Sequence, residues 1–562
     1  MKPSRLLSPL STLFTIAALS GFSSLRADVK MPLLFGDHMV LQQSAKLPVW
    51  GLANPGEAVT VTLGGATAKA TAGSDGKWRV DLPPQAPATP GAVGSVLTIT
   101  GKNTLTFRDV VVGDVWICSG QSNMDFGVGM ADHGKDEIAK ANNPTIRLFF
   151  VTRSATLTPQ DDIAKVPPGY LWGAWQVCSP TTLRSVSNWN GFSAVGYFFA
   201  RDIQQFTQRP IGIIQSTWGG TPAQAWTSLP ALQGDPTLQH FADGLAKMTP
   251  QQTAAFPVVW ADYVAAMRKW SDTGGPAADQ ATSKSWQDAA DKAKAAGQPP
   301  PPRPQRTRPR DPGNIGTPIT LFNGMINPLI PFAIKGVIWY QGESNEGKAT
   351  EYATLFPAMI TDWRAHWGQG DFPFLFVQLA NYNDVHDPNM GNWPIVRESQ
   401  AKALSLPNTG MATAIDIGDP NNIHPKDKID VGARLALVAE HVAYGQNLVY
   451  AGPTFDSIKV EGNKIRVSYT NIGGGLVMGT PPWTPDNMPV QPPTALAGFE
   501  IAGADKNWVP AQAVIDGQTV LVSGDQVAAP VAVRYDWAPS PSGNLYNKEG
   551  LPAFPFRTGD SR

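Results

Sequence analysis

The chain has 562 residues, 42% of them hydrophobic and 16% charged, with a formal net charge of -1. That balance provides no electrostatic footprint for nucleic acid or an anionic membrane surface, so partners of those classes are excluded and a neutral one is expected. The 54 Gly and 51 Pro call for many turns, which argues against a helical bundle and for extensive β structure.

The chain opens with Lys2 and Arg5, then a stretch of apolar and small residues over 6–22, then Leu25-Arg26-Ala27. This order predicts a signal peptide over 1–27, an exported (periplasmic or secreted) protein beginning near Asp28, and no membrane attachment once the peptide is cleaved. An uncleaved N-terminal anchor is the alternative. No later apolar run is long enough to span a bilayer.

Residues 28–108 read as a β-sandwich region. β-Branched runs such as Ala58-Val59-Thr60-Val61-Thr62-Leu63 alternate with turn signals at Asn54-Pro55-Gly56, Gly64-Gly65 and Asp75-Gly76. From residue 109 the pattern changes to fully apolar runs: Val110 to Cys118, Ile211 to Ile214, Gly336 to Tyr340, Phe374 to Leu379 and Met411 to Asp416. Helical stretches over 195–205, 352–367 and 428–444 lie between or after them. Buried strands interleaved with helices predict an α/β fold, a doubly wound parallel sheet. Its two parts cover 109–226 and 313–447. The segment 227–312 reads as an insertion of short helices followed by an exposed Pro/Arg-rich stretch. Residues 448–562 return to β, with hairpin signals at Gly462-Asn463 and Asp516-Gly517. The two β regions form either one flanking unit or two. Cys118 and Cys178, both in apolar sequence, are either a disulfide or two buried thiols.

Chemistry is expected where core strands end, because doubly wound sheets place their sites at the carboxyl edge. After Val110–Cys118 comes Gly120-Gln121-Ser122-Asn123-Met124. Ser122 on that turn reads either as a nucleophile or as a helix cap. A nucleophilic serine needs a base. Of the seven histidines, His38, His133, His240, His366, His386, His424 and His441, only His424 follows a core strand in a loop just before a long helix. Gln341-Gly342-Glu343-Ser344-Asn345 follows a third strand and adds an amide and a carboxylate, and Trp218-Gly219-Gly220 follows a fourth, where glycine lets a backbone N–H approach a ligand.

The motifs Gly120-Gln121-Ser122-Asn123-Met124, Gln341-Gly342-Glu343-Ser344 and Ile423-His424-Pro425 resemble the sialate O-acetylesterase branch of the SGNH hydrolases, whose relatives act on acetylated xylan or xyloglucan. Pro32 to Gln42, Phe192 to Ala200 and Leu321 to Ile326 are similar to other parts of that family. The resemblance implies an SGNH-hydrolase core flanked by β-sandwich regions, acting as a carbohydrate O-acetylesterase without a cofactor or metal on an O-acetylated carbohydrate. It implies Ser122 as nucleophile, His424 as general base, and an oxyanion hole from the N–H of Ser122, a glycine of Gly219-Gly220, and the amide of Gln341 or, second, Asn345. The family's acid lies three residues before the histidine, but here that residue is Asn421. Glu343, then Asp419, are the substitutes, and a Ser–His dyad stays open. Asn123, Trp218, Arg397 and Gln400 are candidate substrate contacts, with a structural salt bridge as the other reading of Arg397. A lipase or thioesterase on the same fold and a non-catalytic glycan-binding protein are the rival functions.

Overall fold

The computed structural model describes residues 28–165, 171–185, 189–258, 260–305, 307–309, 315–383, 391–480 and 493–559. The segment read as a signal peptide lies outside them, as does His386. No described helix is long and apolar enough to cross a membrane.

Six strands form the parallel core: β1 (Thr104–Gly120), β2 (Asn143–Phe150), β3 (Ile211–Thr217), β4 (Gly336–Tyr340), β5 (Phe374–Gln378) and β6 (Thr409–Thr413). Their order across the sheet is β6-β5-β4-β1-β3-β2, and Gln176–Cys178 adds an antiparallel edge beyond β2. All five expected strands are present. β2 was not expected, because Arg147 interrupts its apolar run. Arg147 is nonetheless buried, held by Asp109 at 2.5 Å.

Helices cover both faces, as strand alternation requires. On one face Cys118 Sγ meets Ser193 Oγ at the start of α1 (Ala194–Thr207). The next residue, Ser119, points to the other face. Its row neighbour Trp339 packs there against Phe356 and Trp363 of α2 (Tyr352–Trp367), with ring centroids 6.3 and 5.8 Å away. Helix α3 (Asn392–Ala401) packs beside α2, and α4 (Ile429–Val442) beside α1. A Cβ on Gly432 of α4 would lie 2.6 Å from Phe198 Cβ, so only glycine permits that approach.

β1 does two jobs. Its first half alternates between exposed and half-buried residues and pairs with Ser95–Thr100 of the N-terminal β region; its second half is buried nearly throughout and is the centre of the parallel sheet. The boundary expected at 108/109 therefore falls inside one strand, and a single hydrophobic cluster runs from Val49, Val59 and Trp78 to Trp116 and Ile213. The C-terminal β region has its own core, around Ile465, Val467, Ile501, Val520 and Val533. Both expected hairpins close there, with Gly462 and Gly517 at φ +65° and +62°. The inserted segment contains helices as long as Gly275–Ala295, and the following proline-rich stretch folds back on that helix through Trp286 Nε1 to Pro301 O, 2.9 Å. Cys118 and Cys178 are two separate buried thiols.

Candidate active site

The chain builds β2 and β3 on one side of β1, then crosses to build β4, β5 and β6 on the other. Connections leave β1 and β4 in opposite directions, which opens a crevice at their carboxyl ends. Gly120, Thr217 and Tyr340 stand in one row there, and the segments that follow them carry Ser122, Gly219 and Glu343.

Gly120 makes the turn possible. Its φ is +136°, and a Cβ on it would lie 2.2 Å from Tyr340 O. Ser122 then opens a short helical turn, Ser122–Asp125, whose cap is Gln121. The helix-cap reading of Ser122 therefore fails: its hydroxyl makes no hydrogen bond among the described residues and stays half-exposed. The turn is fixed from below. Asp125 is buried, accepts from Thr217 Oγ1 at 2.7 Å and from Gln215 Nε2 at 3.2 Å, and pairs with the buried Arg153.

Gly219 lies over Ser122. A Cβ there would be 3.3 Å from Ser122 Cβ, and no acceptor among the described residues meets the N–H of Gly219 or of Ser122. Two free backbone donors thus flank an uncommitted hydroxyl, the arrangement that stabilises a developing oxyanion.

The Gln341 side chain, expected as a third donor, is engaged elsewhere. Its amide donates to Asn345 Oδ1 at 2.7 Å and Thr221 O at 3.4 Å, and its oxygen accepts from Tyr352 at 2.8 Å. Asn345 Nδ2 donates once, to Gln224 Oε1, and keeps its second hydrogen.

His424 lies half-buried in the loop between β6 and α4, its ring edge-on to Trp189 at 5.2 Å. No carboxylate among the described residues hydrogen-bonds the imidazole. Asp419 turns to its own loop, accepting from Asn421 N at 2.8 Å, and Asn421 is exposed. Glu343 is buried. Its Oε1 accepts from Asn123 Nδ2 at 2.6 Å, and that same amide donates to Ile423 O at 2.9 Å, next to His424. Glu343 Oε2 has no partner among the described residues, and burial raises the pKa of the carboxyl. Burial first, then the positive charge of Lys428, pushes the His424 imidazole down to about 4.

The expected substrate contacts are corrected. Asn123 is buried with its amide spent on Glu343, Ile423 and, through Oδ1, Lys428 Nζ at 2.7 Å. Trp218 is buried beneath the turn. Arg397 is fully buried and donates to four carbonyls, those of Leu379, Ala380, Ala538 and Pro539, at 2.7–2.8 Å. Gln400 is likewise buried and bridges Leu379 N, Val377 O and Gln341 O. Arg397 and Gln400 hold backbone in place, Asn123 is committed to three partners, and all four side chains are buried. Lys428 and the Asp125–Arg153 pair were not anticipated. A signal for the former existed, since a lysine at the start of a helix opposes the helix dipole.

A family model described as SASA, carbohydrate esterase, sialic acid-specific acetylesterase, matches residues 112–255 and 320–440. Sialate O-acetylesterase of Mus musculus is 32% identical over 455 residues, covering 74% of each chain. The chain belongs to the sialate O-acetylesterase family. It is therefore a carboxylic ester hydrolase of the carbohydrate esterase kind. Sialate O-acetylesterase of Homo sapiens is 31% identical over 456 residues, covering 76% of this chain and 73% of the human one. The crystal structure of a carbohydrate acetylesterase from Xanthomonas citri superposes with TM-score 0.73 at 36% identity, covering 94% of this chain and 99% of that one. The two matched stretches hold Ser122, Gly219, Glu343 and His424, and the gap between them falls largely in the inserted segment.

For a member of this family with a depressed histidine, the acid limb of the pH profile follows. With His424 as the expected base, activity is retained above its folded pKa and lost as pH falls through it, since a base works only when unprotonated. The kcat/KM profile on a small acetate ester should hold through pH 5 and fall as pH approaches about 4. A limb near the ordinary imidazole value would show that His424 is not buried as described.

Proposed function

We propose that the protein releases acetate from O-acetylated carbohydrates by SGNH-type acyl transfer. The observation that carries this reading is the uncommitted Ser122 hydroxyl at the switch point, flanked by the unpaired N–H groups of Ser122 and Gly219. His424 takes the Ser122 proton as Oγ attacks the acetyl carbonyl. The two backbone donors and Asn345 hold the oxyanion, and the sugar oxygen leaves as the protonated alcohol. Water, activated by the same histidine, then displaces acetate from the serine. Glu343 supports the positive imidazole through Asn123 and the histidine loop. Glu343→Gln should lower kcat about 10²-fold, the scale of partners that orient a reacting group from outside, whereas Asp419→Asn should leave kcat unchanged. Equal loss in both variants would remove Glu343 from this role.

The substrate is an acetylated sialic acid or an acetylated hemicellulose such as xylan or xyloglucan. Relatives named sialate O-acetylesterase support the first, and the Xanthomonas citri carbohydrate acetylesterase supports the broader class. Acetate release from the three substrates, measured side by side, ranks them. On nitrophenyl esters of increasing acyl length, a sharp preference for acetate is expected. Preference for long chains would make the protein a lipase-type esterase, and inertness with retained glycan binding a binding protein. The N-terminal sequence supports export.

A further inference from the structure

Lys428, at the N-terminal boundary of α4, is fully buried. Its Nζ donates to Asn123 Oδ1 at 2.7 Å and lies over the rings of Phe126 and Tyr340, 4.9 and 5.4 Å from their centroids. Burying an ammonium is costly, and placing it at the positive end of a helix adds to that cost. An apolar side chain of the same volume would fill the space at less expense to stability.

We infer that Lys428 is a positioning residue for hydrolysis at Ser122: its ammonium fixes which way the Asn123 amide faces, and the amide so held joins the Glu343 carboxylate to the loop carrying His424. This rests on the acyl-transfer reading above. The argument is one of donors and acceptors. An ammonium has only donors and a carboxylate or carbonyl only accepts. With Lys428 on one side of Asn123, the amide oxygen must face it, and both N–H bonds then point to Glu343 Oε1 and Ile423 O. With Lys428 gone, a flipped amide would set its oxygen against those two acceptors, and the tie between nucleophile turn, acid and histidine loop would loosen. The charge acts too. Burial pushes the pKa of the Lys428 ammonium down to about 7, against Glu343, Asp427 and Asp132, which favour its proton, so the side chain carries its charge below that pH and through the acid limb. The same ammonium disfavours a second positive charge on His424.

Lys428→Met tests this. kcat on a small acetate ester should fall about 10- to 100-fold with KM unchanged. The acid limb of kcat/KM should move to higher pH, because removing a positive charge lets His424 protonate more readily; an unchanged thermal unfolding curve separates this from loosening of the fold, which would expose the ring and move the limb the same way. Combined with Asn123→Ala, the lysine change should add nothing to the loss of kcat above the acid limb, since there both act on one link. Should Lys428→Met not fold, Lys428→Gln, which removes the charge but keeps a donor for Asn123, should still move the acid limb to higher pH. Unchanged kcat and acid limb in folded protein, or losses that add in the double variant, would overturn the inference. Ser122→Ala separates the two readings: full activity there overturns the acyl-transfer mechanism, whereas its inactivity beside normal Lys428 variants overturns only the role of the lysine.

Discussion

Ser122→Ala is expected to lower kcat on a small acetate ester by roughly 10⁴–10⁶-fold, the range seen when a nucleophile is removed from a serine-hydrolase constellation. The fold should be untouched. The hydroxyl makes no hydrogen bond among the described residues and the side chain is half-exposed, so its loss leaves no buried polar group unpaired. The turn itself is set by Gly120, by Trp218 N donating to Gly120 O at 3.2 Å, and by Asp125 beneath it. Residual activity above water should survive, because the N–H donors of residues 122 and 219 belong to the backbone. Steady-state kinetics and an unchanged thermal unfolding curve check this together. Retained activity would mean that another group attacks the ester.

The second large effect is on stability. Arg397→Ala should destabilise the protein by about 3–5 kcal/mol, the cost of breaking a buried charged network. Arg397 crosses from α3 to the end of β5 and on to the C-terminal β region, so its loss strands carbonyls on both sides. The buried Asp536 would also lose its nearby positive charge. Arg397→Lys should rescue little, because one ammonium cannot serve four carbonyls held in a fork. Thermal unfolding should show an earlier transition, while KM on a soluble acetate ester stays unchanged for the folded fraction. A stable variant with raised KM would return Arg397 to the substrate.

Much of the site was legible because it sits at strand ends. Apolar runs such as Val110–Cys118 and Gly336–Tyr340 announce central strands, and the residues immediately after them must lie at the carboxyl edge. That reasoning places Ser122, Gly219, Glu343 and His424 without any contact information. It fails for polar residues whose partners are backbone atoms distant in sequence. Gln341, Arg397 and Gln400 have the chemistry of ligands, yet each saturates carbonyls or amides contributed by other segments. Pattern reading cannot tell a side chain that reaches a substrate from one that closes a buried gap. Lys428 was missed for the opposite reason: lysine reads as solvent-exposed by default. β2 was missed because one arginine, neutralised by a distant aspartate, interrupts its apolar run.

The long strand β1 has a consequence for anyone who would reshape this protein. The nucleophile turn hangs from the end of a strand whose beginning is stitched to Ser95–Thr100. Cutting the chain between residues 104 and 120 would sever a single hydrogen-bonded ribbon, not a linker. Modules exchanged with a relative should therefore be joined upstream of residue 28 or beyond residue 447. The C-terminal β region, with a core of its own, is the better candidate for transplantation, provided the carbonyls of Ala538 and Pro539 still find the guanidinium that docks them.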